Sequence, residues 1–118
     1  MYRFIIKLLF CMLALTSTLV FSAPIEIVLS PSKPVVLTNT NKKVLSLLCE
    51  IHAVVSANNF ISIQFLAGKG TFNGTTLKQG DSLVSTLTNL QQIPISAAPG
   101  AKAQVTNMGT QSIKATCI

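Results

Sequence analysis

The sequence predicts an all-β protein: a small immunoglobulin-like β-sandwich of about seven to eight strands, with one disulfide and a preceding signal peptide. Apolar residues alternate with polar ones over short runs, which is the pattern of half-buried strands. Turn-forming glycine, proline and asparagine residues separate these runs at intervals typical of sandwiches and small barrels. After residue 22 no segment keeps the apolar period of a helix.

The first 22 residues have the layout of a secretory signal peptide: a basic start, an apolar run from Leu8 to Leu15, and small or polar residues before the exit. We expect cleavage after Ser22, because a cut one residue later would leave Pro24 directly beyond the scissile bond. An uncleaved membrane anchor is the alternative. Lys7 disfavours it, since the remaining apolar run is shorter than the roughly 20 residues that span a bilayer.

This cut divides the chain into a signal peptide (1–22) and one β-sandwich domain (23–118). The expected location is therefore outside the cytoplasm, either periplasmic or secreted. A domain of this size buries one modest core, and small exported domains often add a covalent staple. No transmembrane segment is expected in the mature chain.

The first predicted strands are short and lie at sheet edges. The run "IEIVL" (25–29) places Ile25, Ile27 and Leu29 on one face. The run "VVL" (35–37) follows a segment with two prolines, which cannot continue a regular ladder.

The middle of the chain carries the longest strand, 44–55, and then the strand "FISIQFLA" at 60–67. Asn73-Gly74 lies between β-forming residues and predicts a tight hairpin turn, because both positions tolerate positive φ.

The last third contains one undecided segment, since 83–90 fits either a strand or a helical turn. Residues 91–97 alternate as a strand, and Pro94 within it favours an edge position. Two further alternating runs, 101–107 and 111–117, complete the predicted sandwich. A true immunoglobulin domain carries a core tryptophan, which this chain lacks, so the prediction concerns architecture only.

Two cysteines remain after the expected cleavage, Cys49 and Cys117, and an even count in an exported chain predicts a disulfide. Each lies on the apolar face of its strand, with Leu47 and Ile51 beside the first and Ala115 beside the second. The bridge would close a loop of about 69 residues, for which the chain-entropy model gives about 4 kcal/mol. Free thiols or a redox pair are the alternatives, and the C-x-x-C spacing of a redox pair is missing.

The residue inventory disfavours an enzyme. After residue 22 the chain has one histidine, three acidic residues and no tyrosine, tryptophan or arginine, so triads and carboxylate pairs lack parts. Glu50 and His52 lie on the same outward strand face and are the candidates for metal ligands or for a base with its orienting carboxylate. The ordinary interpretation is a solvent-facing pair, because a metal site needs three or four ligands. No cofactor is expected.

Seven lysines face three acidic residues after the expected cut, which leaves a net charge of +4. If Lys33, Lys42 and Lys43 cluster at one end, they would contact acidic surfaces weakly, such as lipid headgroups or polyanionic glycans. Nucleic acid is not an expected partner, because no basic stretch is interleaved with aromatic residues for stacking.

The chain resembles small uncharacterised exported β-sandwich proteins of Gram-negative bacteria. The resemblance is carried by the signal peptide, the Cys49/Cys117 pair, "GTFNGTTLKQGDSL" and the closing "VTNMGTQSIKATC". It covers most of the mature chain and implies no catalytic or binding residue.

These observations together predict an exported, non-catalytic module that binds an unknown protein partner. Because the residues that dominate interface hot spots are missing, we expect binding through exposed sheet edges by main-chain hydrogen bonds. The edge strand expected to make contact consists of Ile25, Glu26, Ile27, Val28 and Leu29. The alternatives are a secreted inhibitor or host-directed effector, and a metal-binding protein or enzyme that uses Glu50 and His52.

We predict that the chain, expressed with its signal in a Gram-negative host, yields a protein that begins at Ala23 and weighs two hydrogens less than the reduced form. Intact-mass measurements on periplasm, medium and membranes check both the cut and the disulfide. A full-length mass in membranes with free thiols would contradict both.

Overall fold

The structure, a computed structural model that describes residues 24–118, is all β. Ten strands form two antiparallel sheets around one cluster of buried residues drawn from both sheets. The predicted fold class is thus confirmed, with more strands than the seven to eight expected. The predicted signal peptide lies outside the described residues. Within residues 24–118 no helix is long and apolar enough to cross a membrane.

The strands follow one another along the chain with short connections. They are β1 (Ile25–Leu29), β2 (Pro34–Thr38), β3 (Leu45–His52), β4 (Phe60–Ala67), β5 (Lys69–Phe72), β6 (Thr75–Lys78), β7 (Ser82–Thr86), β8 (Gln92–Ala97), β9 (Lys102–Asn107) and β10 (Ile113–Cys117). The six-stranded sheet has the order β1-β10-β3-β8-β5-β6, and the four-stranded sheet has the order β2-β9-β4-β7.

Both early strands lie at sheet edges, as predicted: β1 ends the six-stranded sheet and β2 ends the four-stranded sheet. The expected edge position of Pro94 is wrong, because β8 lies between β3 and β5. Leu48, which pairs with Pro94, turns its main-chain groups toward Ile118. The nitrogen of Pro94 therefore faces away from β3, toward a position that lies beyond the end of β5. On the same side the carbonyl of Pro94 accepts a hydrogen bond from Asn73 N at 2.9 Å. A central proline costs no ladder bond at this place.

The Asn73-Gly74 hairpin is confirmed, with φ of 49° and 88° at the two turn residues between β5 and β6. These left-handed values are those of the tight turn that the dipeptide favours. The hairpin also adds two short strands to the expected number.

Strand limits differ from the sequence prediction in several places. The undecided segment 83–90 is a strand up to Thr86 and a turn beyond it. The longest strand ends at His52 rather than at residue 55, because the chain turns at once: Ala57 N donates to Val54 O at 3.2 Å. Asn59 closes this turn by donating its side-chain amide to both Val54 O and Ala57 O.

The predicted disulfide joins Cys49 of β3 to Cys117 of β10 and closes a sequence separation of 68 residues. The two strands are neighbours in one sheet, and the cysteines are directly opposite each other in the antiparallel register. Both side chains point inward and are buried. Immunoglobulin domains of antibodies place their disulfide between the two sheets, whereas here it links two adjacent strands of the same sheet.

Three buried asparagines organise the loops at the two ends of the sandwich: Asn39, Asn59 and Asn107. Asn107 is fully buried and donates its side-chain amide to Leu29 O at 2.9 Å and to Gln111 O at 2.7 Å. Its oxygen accepts from Gly109 N at 2.8 Å. One side chain thus ties the end of β1 to the connection between β9 and β10.

We predict that Asn107→Ala lowers the free energy of unfolding by about 2–4 kcal/mol, because it leaves the buried Leu29 O without a partner and removes two part-buried hydrogen bonds, to Gln111 O and from Gly109 N. Asn41→Ala is the matched control, since Asn41 is exposed, and it should change stability by less than about 0.5 kcal/mol. Chemical denaturation of the oxidised proteins measures both. Equal stability of the two variants would show that Asn107 does not hold this end together.

Candidate binding site

The inward face of β3 is buried at one end and half-exposed at the other. Cys49 and Ile51 are 5% and 4% exposed, whereas Leu45 and Leu47, which point the same way, are only half-buried. The change falls where β10 ends, because the last ladder pair is Cys117 with Cys49. The missing burial is therefore caused by a missing neighbour strand.

We call the free strand edge along residues 44–47, on the side that faces away from β8, the β3 gap. Ile118 makes the last main-chain bonds on this side, exchanging hydrogen bonds of 2.9 and 3.0 Å with Leu48. Two residues earlier, Ser46 turns its N–H and C=O the same way, since main-chain groups alternate along a strand. No strand among residues 24–118 pairs with this side of Ser46.

A cavity of about 270 Å³ lies between the two sheets. Its lining includes Leu37, Leu45 and Leu47, which face inward beside the β3 gap and are half-buried. Its other lining residues are mostly aliphatic and come from both sheets. An apolar cavity of about 150 Å³ already admits benzene, so this space has room for more than one aliphatic side chain.

Lys33, Lys42 and Lys43 do not form the cluster on which a weak contact with acidic surfaces was made conditional. Lys42 and Lys43 directly precede the β3 gap, whereas Lys33 lies at the other end of the sandwich, in the corner that bonds Asn107. They are far apart because β2 runs the length of the sheet between them. The strand pairing places three further lysines at the gap end: Lys69, Lys78 and Lys102.

The predicted contact strand, Ile25–Leu29, is the outermost strand beside β10. Its odd-numbered residues exchange main-chain bonds with β10, so the main-chain groups of Glu26 and Val28 point away from the sheet. Val28 is 53% exposed. The carboxylate of Glu26 forms a 3.4 Å ion pair with Lys114 Nζ, and this charge makes the edge less open to pairing.

Glu50 and His52 lie side by side on the outward face of β3, with His52 Nε2 3.5 Å from Glu50 Oε1. Both side chains are partly exposed. Lys114 is opposite His52 in the β3–β10 register, so the pair belongs to a row of charges across the sheet. Within residues 24–118 no group of three or more histidine, cysteine, aspartate or glutamate side chains converges to hold a metal.

Sequence reasoning did not find the β3 gap. Leu45 and Leu47 alternate just as Cys49 and Ile51 do, and alternation reports the face of a residue but not the strand beside it. The available signal was the pairing of Cys117 with Cys49, since it sets the end of the predicted strand 111–117 opposite the middle of β3. Comparison of the chain with family models, curated proteins and solved structures found no match. The proposed resemblance stays a prediction.

We predict that the oxidised protein does not bind zinc stoichiometrically at micromolar concentration, because two ligands on one strand face leave a metal largely hydrated. Isothermal titration with zinc, for the wild type and His52→Ala, checks this. Saturable binding that His52→Ala abolishes would contradict it and would restore the metal-binding alternative.

Proposed function

We propose that this protein is an exported, non-catalytic module that binds a partner protein by β-strand addition, with an extended segment of the partner in the β3 gap. The observation that carries the proposal is the abrupt loss of burial on β3 between Cys49 and Leu47. An inward-facing aliphatic pair without a neighbour strand is a site that an added strand would complete.

The added strand would lie beside β3, in line with β10 and beyond Ile118. Its main chain would bond to the free N–H and C=O of Ser46, while its alternate side chains would enter the cavity between the sheets. Net main-chain hydrogen bonds contribute about 0.5–1.5 kcal/mol each, and each buried aliphatic side chain contributes about 1.5–3 kcal/mol. Since ordering and association offset much of this, the affinity would come mainly from the side chains in the cavity.

Among residues 24–118 no strand occupies this position beside Ser46. The predicted contact strand β1 keeps a secondary part in this proposal: Ile25 borders the gap, and the free main-chain groups of Glu26 and Val28 would receive a partner that extends beyond it.

The disulfide supports the exported location, because such bonds persist in oxidising compartments. A periplasmic binding module, a secreted inhibitor and a host-directed effector would use the same gap and differ in the protein that supplies the strand.

We predict that a photoreactive residue in place of Val44, which is 62% exposed at the gap, crosslinks one partner protein in the native compartment. The same residue in place of Val84, 65% exposed on β7, should not crosslink that partner. Adding Ser46→Pro removes an N–H that faces the gap and should abolish the crosslink, since an edge strand tolerates proline.

The matched control is Val36→Pro, because the N–H of Val36 faces away from β9 in the same manner on β2. It should leave the crosslink intact. The proposal fails if positions 44 and 84 yield the same adducts, or if Ser46→Pro leaves the crosslink unchanged while both proline variants remain folded by circular dichroism.

A further inference from the structure

We infer, resting on the proposed function, that the β3 gap selects an acidic segment: apolar residues at alternate positions, flanked by aspartate or glutamate at the end beside Lys42 and Lys43. Two independent features of the gap, its positive charge and its apolar lining, indicate the chemistry of the partner segment.

The gap end of the sandwich carries excess positive charge. Five of the seven lysines among residues 24–118 lie there, and Lys42 and Lys43 are adjacent to Val44, the first residue of the gap. In the described part of the chain neither of these two lysines has a carboxylate within ion-pair distance; the ion pairs found are Glu26–Lys114 and Glu50–His52.

The acidic residues do not neutralise this end. Asp81 is the acidic residue placed there by the strand pairing, and its carboxylate accepts a hydrogen bond from Lys78 N at 2.9 Å, which holds it in its own turn. Glu26 and Glu50 lie on the outward face beyond Cys49, on the far side of the disulfide from the gap. A basic or neutral segment would therefore meet uncompensated lysines as it enters.

The apolar lining sets the spacing of the partner's side chains. Leu45 and Leu47 lie two residues apart, which is about 6.6–6.8 Å along a strand, and Leu37 faces them from the other sheet. A paired strand presents its own inward side chains at the same interval. Valine, isoleucine or leucine at every second position would fill the cavity, whereas consecutive apolar residues would leave half of them in water.

Because the lysines lie at the rim, their effect is mainly on association rate and salt dependence. Exposed pairs of this kind contribute little each, so reversal of both charges should weaken an acidic segment by about tenfold at low salt and by less at high salt.

The experiment selects a phage-displayed library of linear twelve-residue peptides on the oxidised protein purified from periplasm, with Ser46→Pro as the counter-selection. We expect enriched peptides with aliphatic residues at alternate positions and aspartate or glutamate at one end. The best peptide is then synthesised, together with a version in which lysines replace its acidic residues. Fluorescence anisotropy measures both at low and high salt.

The matched variants are the double variant Lys42→Glu/Lys43→Glu and the control Lys33→Glu, which makes a similar change at the opposite end. The double variant should lose about tenfold in affinity for the acidic peptide and gain for the lysine version. The control should bind as the wild type does.

The possible failures are distinguishable. If alternating peptides are enriched without acidic residues, or if both charge versions bind equally, the inferred selectivity is wrong and strand addition stands. If no peptide is enriched over Ser46→Pro, strand addition itself fails, and this inference fails with it. If sodium laurate displaces the peptide at lower concentration than the peptide itself requires, the cavity belongs to an acyl chain and the inference is overturned.

Discussion

The pairing of β3 with β10, closed by the Cys49–Cys117 disulfide, is the interaction on which the rest of the six-stranded sheet depends. β10 is the last strand of the chain, and yet it lies between β1 and β3. If β10 detached, β1 would lose the one strand it pairs with among residues 24–118, and the inward face of β3 would lose its cover. Pairing β3 with β10 closes a long loop, which costs chain entropy on folding. The disulfide lowers this cost, because it keeps the two strands linked in the unfolded chain as well.

The same pairing decides where the sheet is incomplete. β10 stops opposite Cys49, while β3 begins four residues earlier and pairs there with β8 alone. The sheet is therefore staggered about β3. On one side, β10 and then β1 lie beside the second half of β3. On the other side, β8 lies next to β3, and β5 and β6 lie beyond β8, level with the first half of β3. The disulfide fixes the register of β10 against β3 and so holds this stagger.

Local signals were enough to predict much of the fold. The Asn73-Gly74 turn, the cysteine pair and the early edge strands follow from two-residue alternation and from the backbone preferences of a few residues. The central place of Pro94 could not be predicted, because it depends on the end of β5 at Phe72, which pairs with Ile95 and leaves Pro94 without a partner residue on β5. The asparagine ties were equally out of reach, since Asn107 bonds Leu29 O from 78 residues away. Likewise, Leu45 and Cys49 look equivalent in sequence and differ only in what lies beside them.

The distribution of chemistry over the two faces favours an extended partner chain over a small polar substrate. On the outward face of the six-stranded sheet Glu26 pairs with Lys114 and Glu50 with His52. The cavity between the sheets is lined mainly by apolar side chains. Among its polar side chains, Asn39 is satisfied by three carbonyls and one N–H, and the hydroxyls of Thr71 and Ser96 bond each other at 2.7 Å. The described structure leaves one stretch of strand edge unpaired and leaves the side chains of Leu45 and Leu47 half-buried. An extended polypeptide would pair with the edge and cover both side chains.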